Sequence, residues 1–330
     1  MPKFTNVSAN GRKVVLVGAG LVGTSYAFAL LNQKLCEQIV IIDIDRRRAE
    51  AEAMDLSHGL AFSDSGMKIS AGDYTDCADA DLLVICAGVP QVSGESRIEL
   101  YQRNRAVVED IVSRAANTGF AGIILVATNP VDLMTMTALR SSGFPAGRVI
   151  GSGTTLDTAR LKHLLGAYFG VDSRNIHAYV IGEHGDSELV PWSQAMVATK
   201  SVWECCDEDP ARFDRHRLLE MEESVRSAPQ SIIEAKRATY YGIGMALARI
   251  TRAIFGDENS VLTVSSLLEG EYGQQDVCIG TPCVINREGV REKVRLNLPA
   301  DEWARFNESC EFLRSVAKNG GALLDRTAKP

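Results

Sequence analysis

The chain has no CxxC pair. Its eight cysteines, at 36, 77, 86, 205, 206, 278, 283 and 310, form no Cys/His cluster with zinc spacing, so no metal centre is expected. Free, mostly buried thiols remain, and these suit a reducing cytoplasm. No apolar run approaches the roughly 18 residues needed to span a bilayer. The N-terminal MPKFTNVSANGRK lacks the apolar core of a signal peptide. A cytoplasmic protein without membrane attachment is therefore expected. Excess positive charge is missing too: 35 Lys and Arg face 42 Asp and Glu, a net −7. The only basic run, Arg46-Arg47-Arg48, is short, which argues against a nucleic-acid partner. There is no internal repeat, no low-complexity tract and no Pro/Ser-rich linker, so the parts of the chain are expected to pack tightly.

What is present is ordinary for a globular protein: 45% hydrophobic and 23% charged residues. A length of 330 residues is long for one core and suggests two lobes. In the first lobe apolar strands alternate with helices. Strands are expected at 13–17, 38–43, 67–71, 81–87 and 121–127, and helices from Leu21, at 45–62, at 95–118 and at 131–143. Continuous apolar strands between amphipathic helices call for a parallel sheet covered on both faces, hence a doubly wound α/β fold. The second lobe is mixed. Helices are expected at 154–170, 212–227 and 229–256, with Pro229 in a first turn, and another at about 300–318. A strand is expected at 175–183 and antiparallel strands at 260–270 and 276–290. The expected division is 1–152, a dinucleotide-binding domain, and 153–330, an α+β substrate domain.

Gly18-Ala19-Gly20-Leu21-Val22-Gly23 is GxGxxG between a strand and a helix, the context in which it binds a dinucleotide. Gly18 permits the tight turn, Gly20 lets backbone approach a pyrophosphate, and Gly23 lets helix and strand pack closely. The helix start offers N–H groups and a positive dipole end. Asp43, at the end of the second strand, can accept both ribose hydroxyls of NAD and would repel the extra phosphate of NADP. This is the first lobe of a Rossmann fold with NAD as cofactor.

Three polar motifs follow. In Asn129-Pro130-Val131-Asp132, Asn129 lies at the carboxyl end of a strand, where open sheets bind ligands. Asp157 and Arg160 are three apart on a helix and share a face. In Gly182-Glu183-His184-Gly185-Asp186, a histidine sits between glycines.

With these motifs the chain resembles the lactate/malate dehydrogenase family, in its bacterial lactate branch. The likeness runs from GAGLVG to about Arg295 through ATNPVD, IGSGTTLDTARL, HAYVIGEHGDSELVPWSQ and ATYYGIGMALARITRAI. It implies that His184 gives a proton to the pyruvate carbonyl and takes it back in reverse, a task suited to imidazole. Asp157 would orient His184 and stabilise its imidazolium. Arg160 would clamp the substrate carboxylate bidentately, Asn129 would bond the substrate oxygen, and Thr239 would lie near the substrate's small end. Arg97 would come in with a closing loop and stabilise developing negative charge. Val22, Gly88 and Val89 would face the dinucleotide, Tyr74 and Arg48 its adenosine end, and Ala127 and Ser152 its nicotinamide ribose.

Position 91 separates lactate from malate enzymes. Malate enzymes place arginine there for the second carboxylate of oxaloacetate. Here it is Gln91, which offers no counter-charge, so pyruvate is the expected substrate. The flanking Ala87-Gly88-Val89-Pro90 resembles the malate version, and Ser93 stands where lactate enzymes often have proline. The resemblance also implies a homo-oligomer, a tetramer, and in many bacterial relatives activation by fructose 1,6-bisphosphate on an arginine and a histidine between subunits. His177 matches the histidine, but Lys162 stands at the arginine position and lacks the bidentate fork. The alternatives are a malate or other 2-hydroxyacid dehydrogenase and a non-catalytic dinucleotide-binding protein. The intact set His184, Asp157, Arg160 and Arg97 argues against the last.

Overall fold

The computed structural model describes residues 12–89 and 97–319, with Arg97 described by its backbone only. The first half alternates as its hydrophobic pattern requires: β1 (Lys13–Val17), α1 (Leu21–Gln33), β2 (Gln38–Ile42), α2 (Arg46–Gly59), β3 (Lys68–Ala71), β4 (Leu82–Ile85), α3 (Arg97–Ala116), β5 (Ile123–Val126), α4 (Val131–Ser142) and β6 (Val149–Gly151). These six strands are parallel in the order β3-β2-β1-β4-β5-β6. The order reverses between β1 and β4, and ligands of open α/β sheets bind at the carboxyl ends beside such a point.

Both faces of the sheet are buried because successive side chains point to opposite sides. Val15, Val17, Leu83 and Ile85 join one core with α3 and α4. Val14, Leu16, Leu82 and Val84 join another with α1 and α2. Each such fully buried side chain contributes about 1.5–3 kcal/mol.

The second half comprises α5 (Thr155–Phe169), β7 (Ile176–His177), β8 (Met196–Val197), β9 (Lys200–Ser201), α6 (Val202–Glu208), α7 (Arg215–Lys236), α8 (Tyr241–Phe255), β10 (Ser260–Glu269), β11 (Gln275–Asn286), β12 (Gly289–Lys293) and α9 (Ala300–Asn319). It has its own core, in which Leu161, Leu165 and Phe169 of α5 meet Trp192, Leu218, Met221 and Val225. It is also fastened to the first half. The antiparallel strands β10, β11 and β12 extend the large sheet from β6, where Ser265 pairs with Gly151. Helix α8 adds Leu247, Ala248 and Ile250 to the α1 face, and Gly244 lets it approach the Ser25 backbone closely, where an added Cβ would sit 2.9 Å from the Ser25 carbonyl carbon.

The structure corrects two expectations. Residues 175–183 were expected as one strand, but only Ile176–His177 pairs as one, with β8. The alternation is real, since Ile176, Ala178 and Val180 are buried. The backbone of Val180, however, is satisfied by side chains: its N–H donates to Thr158 Oγ1 (2.9 Å) and its carbonyl accepts from Thr154 Oγ1 (2.6 Å). Pro229 does not start a helix. It lies inside α7, which begins after Asp214, whose carboxylate caps His216 N–H at 2.9 Å. The ring's φ is compatible with helix, so Pro229 forfeits one hydrogen bond rather than ending the helix. The real break is at Arg237, in the left-handed region at φ 71°, and α8 starts four residues later.

Candidate active site

The cradle for a dinucleotide is built by three glycines. Gly18 has φ 106°, and an added Cβ would lie 2.5 Å from Ala87 N. A Cβ on Gly23 would collide with the Gly18 carbonyl. Gly20 is different: nothing stands within 4 Å of where its Cβ would be. It is the N-cap of α1 and provides no side-chain cap, so the helix start presents its N–H groups toward open space. Asp43 closes the turn from β2, its Oδ2 accepting from Ala19 N at 2.7 Å and its Oδ1 from Asp45 N at 2.9 Å. The residues present thus fit a bound dinucleotide phosphate.

Loops from the neighbouring strands face the same crevice. Gly88 and Val89 follow β4, Ala127 and Asn129 follow β5, and Ser152 follows β6. Those after β4 and β5 are tied together by Asn104 of α3, which the motifs had not singled out. Asn104 is 1% exposed. Its Oδ1 accepts from Val89 N (2.8 Å) and its Nδ2 donates to the Asn129 carbonyl (2.8 Å). One signal could have found it: Asn104 stands seven residues after Arg97, two turns along the same helix face. Val22 is half-buried on α1. Arg48 is exposed in the first turn of α2, with its N–H bonded to Asp45. The Tyr74 ring carries the Arg114 guanidinium 4.0 Å from its centroid, and burial pushes its phenol up to about 12.

The polar motifs of the second half converge. His184 Nδ1 lies 2.6 Å from Asp157 Oδ2, and Arg160 Nη1 donates to Asp157 Oδ1 at 2.6 Å. Asp157 is 1% exposed. Burial alone would raise its pKa, but the charges and hydrogen bonds of His184 and Arg160 lower it by more. Burial likewise lowers His184, while Asp157, Glu188 and Asp132 together raise it by more, to about 9. A buried carboxylate thus holds an imidazolium on one side and a guanidinium on the other.

The histidine loop is fixed at both ends. Gly182, at φ 95°, pairs with Gly280 of β11 through hydrogen bonds of 2.9 and 3.0 Å. Ser309 of α9 accepts from Glu183 N at 2.8 Å. Asp132, the last residue of the NPVD motif, accepts from His184 N at 2.9 Å and from Ser265 Oγ at 2.6 Å. Burial pushes its carboxyl up to about 6. The sequence displayed Asp132 without revealing this use, which depends on β10 supplying Ser265 from 133 residues away. Glu188 also joins the group, its carboxyl within 4.8 Å of the Asp157 and His184 polar atoms.

Other expected residues lie elsewhere or outside the description. Thr239 is half-buried in the connection between α7 and α8, and no hydrogen bond ties it to Asp157 or His184. Gln91 lies outside the described residues, as does the side chain of Arg97, although Arg97 is the first residue of α3. Lys162 is half-buried on α5 and His177 is exposed on β7. All eight thiols are unpaired, six of them buried.

Residues 12–151 match the model of the lactate/malate dehydrogenase NAD binding domain, and residues 154–324 match that of the lactate/malate dehydrogenase alpha/beta C-terminal domain. The chain belongs to the lactate/malate dehydrogenase family. Within that family it is 51% identical to L-lactate dehydrogenase 2 of Bacillus cereus over 304 residues, 92% of this chain and 96% of the relative. It is 49% identical to L-lactate dehydrogenase 1 of the same species, with the same coverage. Among solved structures of the family, a lactate dehydrogenase from a Medee basin deep-sea metagenome library superposes with a TM-score of 0.91 at 49% identity, covering 94% of this chain and 99% of that one. The minor L-lactate dehydrogenase of Enterococcus mundtii in its ligands-bound form gives 0.91 at 42% identity, covering 93% and 98%.

Proposed function

We propose that the chain is an NAD-dependent L-lactate dehydrogenase that reversibly reduces pyruvate to (S)-lactate. The observation that carries the reading is Asp157, buried and bonded at once to His184 and Arg160. The dinucleotide, when bound, supplies or accepts the hydride. Gly18, Gly20, Gly23 and Asp43 would hold it, with Val22, Arg48, Tyr74, Gly88, Val89, Ala127 and Ser152 along its length.

The rest of the chemistry falls to side chains. Because Nδ1 of His184 is engaged by Asp157, Nε2 is the atom that gives the proton to the substrate carbonyl oxygen. Asp157 keeps the ring oriented and charged until that transfer. Arg160, turned toward the same group, takes the substrate carboxylate. Asn129 bonds the reacting oxygen, Thr239 bounds the small end of the substrate, and Arg97 adds positive charge beside the reacting carbonyl. Gln91 selects pyruvate over oxaloacetate for want of a counter-charge, and the names of the relatives support the same side of the family.

The setting is the last step of fermentative glycolysis in the cytoplasm. Free thiols support that compartment, and no described helix is long and apolar enough to cross a membrane. We place the chain in a homotetramer. Leu21 and Phe28 of α1 and Tyr241 and Met245 of α8 are 52–67% exposed on packed neighbouring helices, an apolar surface of the kind that subunits cover. A solution mass near four times 35.8 kDa is the check.

NADH oxidation with pyruvate and then with oxaloacetate tests the reading. We expect kcat/KM to favour pyruvate by about a hundredfold or more, as an uncompensated buried carboxylate dictates; preference for oxaloacetate makes it a malate enzyme. Adding fructose 1,6-bisphosphate to the pyruvate titration tests Lys162 and His177 as an effector site, and an unchanged curve rules them out.

A further inference from the structure

Glu188 takes no part in the reaction as derived, yet the fold brings it to the centre. Leu189 and Ile181 exchange two 2.9 Å hydrogen bonds and close the neck of the histidine loop. Glu188 N donates to the Gly185 carbonyl at 3.2 Å, which turns the chain back toward His184. The residue is 4% exposed. Its carboxyl accepts no hydrogen bond among the described residues, whereas its carbonyl accepts from Arg226 Nη2 of α7 at 3.1 Å. A largely buried carboxyl that accepts no hydrogen bond is costly to ionise. Here it stands within 4.8 Å of the polar atoms of Asp157 and His184.

We propose that Glu188 is a positioning residue for the catalytic proton: once ionised, its charge beside the Asp157–His184 pair holds the imidazolium and extends pyruvate reduction to higher pH. Among the described residues, the charged groups that face it are Asp157 and Arg160 of α5, His184 of its own loop and Arg226 of α7, while Asp132 of α4 acts on His184. Burial and then the Asp157 charge push Glu188 up to about 8, against the opposing cations. His184, which burial lowers and Asp157, Glu188 and Asp132 raise, reaches about 9. A negative charge on the carboxyl favours keeping the proton on the ring as pH rises. Glu188 transfers no proton to substrate. The two groups titrate together, so the arms of the rate profile belong to the pair.

The inference rests on His184 being the proton donor to pyruvate, and its test separates the two ideas. In Glu188→Gln, kcat/KM for pyruvate is read across pH against the wild type. The alkaline fall should move to lower pH by about one unit, a tenfold change in the ionisation constant. The acidic limb of lactate oxidation, which needs neutral His184, should move down with it. Glu188→Asp, which keeps a carboxyl, should hold the wild-type profile more closely, and Glu188→Met serves if the glutamine variant does not fold. Profiles that superimpose, or activity lowered equally at every pH, overturn the role of Glu188. A wild type that oxidises NADH with no pyruvate dependence overturns the functional reading instead.

Discussion

Asn104 shows what a single residue can do that a motif does not reveal. It is a polar side chain at 1% exposure, and its amide spans the loops after β4 and β5 by bonding Val89 N and the Asn129 carbonyl. Removing it leaves buried groups unpaired, at about 1–3 kcal/mol each. Asn104→Ala should therefore lower the unfolding midpoint and weaken NADH binding by about tenfold, read from NADH fluorescence. Unchanged affinity would mean that the two loops hold their shape unaided. By contrast, His184, Asp157 and Arg160 were legible in the sequence. The motifs placed them, the family resemblance gave them their roles, and what folding added was the 2.6 Å contacts. Asp132 and Glu188 were not legible, since their roles come from Ser265 of a distant strand and from a loop turned back on itself.

At the level of elements the alternating first half was readable because β1, β2, β4 and β5 are apolar on both faces and helices such as α2 and α4 carry a capping or stopping residue. Asp45 caps α2 by accepting from Arg47 N and Arg48 N, and Gly143 ends α4 in the left-handed conformation. The reading was poorer where local signals conflict with tertiary packing. Residues 175–183 have strand periodicity, but threonine side chains of α5 take the place of a neighbouring strand. Pro229 carries a start signal, but α7, whose Leu218, Met221 and Val225 pack in the third core, runs through it to Lys236. The ring then leaves the Val225 carbonyl without its helical donor. Pro229→Ala should restore that bond and raise stability by about 1 kcal/mol or more, with kcat unchanged. A lower unfolding midpoint would show that the ring's packing outweighs the lost bond.

For the molecule as a whole, the site exists because two halves of the chain share one sheet. The cradle after β1, β2 and β4 belongs to the first half. The Asp157, Arg160 and His184 group belongs to the second, and it is held against the first by Asp132 of α4. The crevice at the reversal of strand order was predictable from the alternation of strands and helices. The continuation of the sheet through β10, β11 and β12 was not, because antiparallel strands carry no label for the edge they join.

The central claim is that one buried carboxylate, Asp157, organises this junction into an acid–base centre. The direct measurement is steady-state pyruvate reduction by Asp157→Asn, alongside its NADH dissociation constant. The account predicts that kcat/KM for pyruvate falls by about 10²–10⁴ while NADH affinity stays within a factor of about two, since Asp157 lies outside the cradle. Activity retained within a few-fold would contradict it, as would a loss that follows NADH binding.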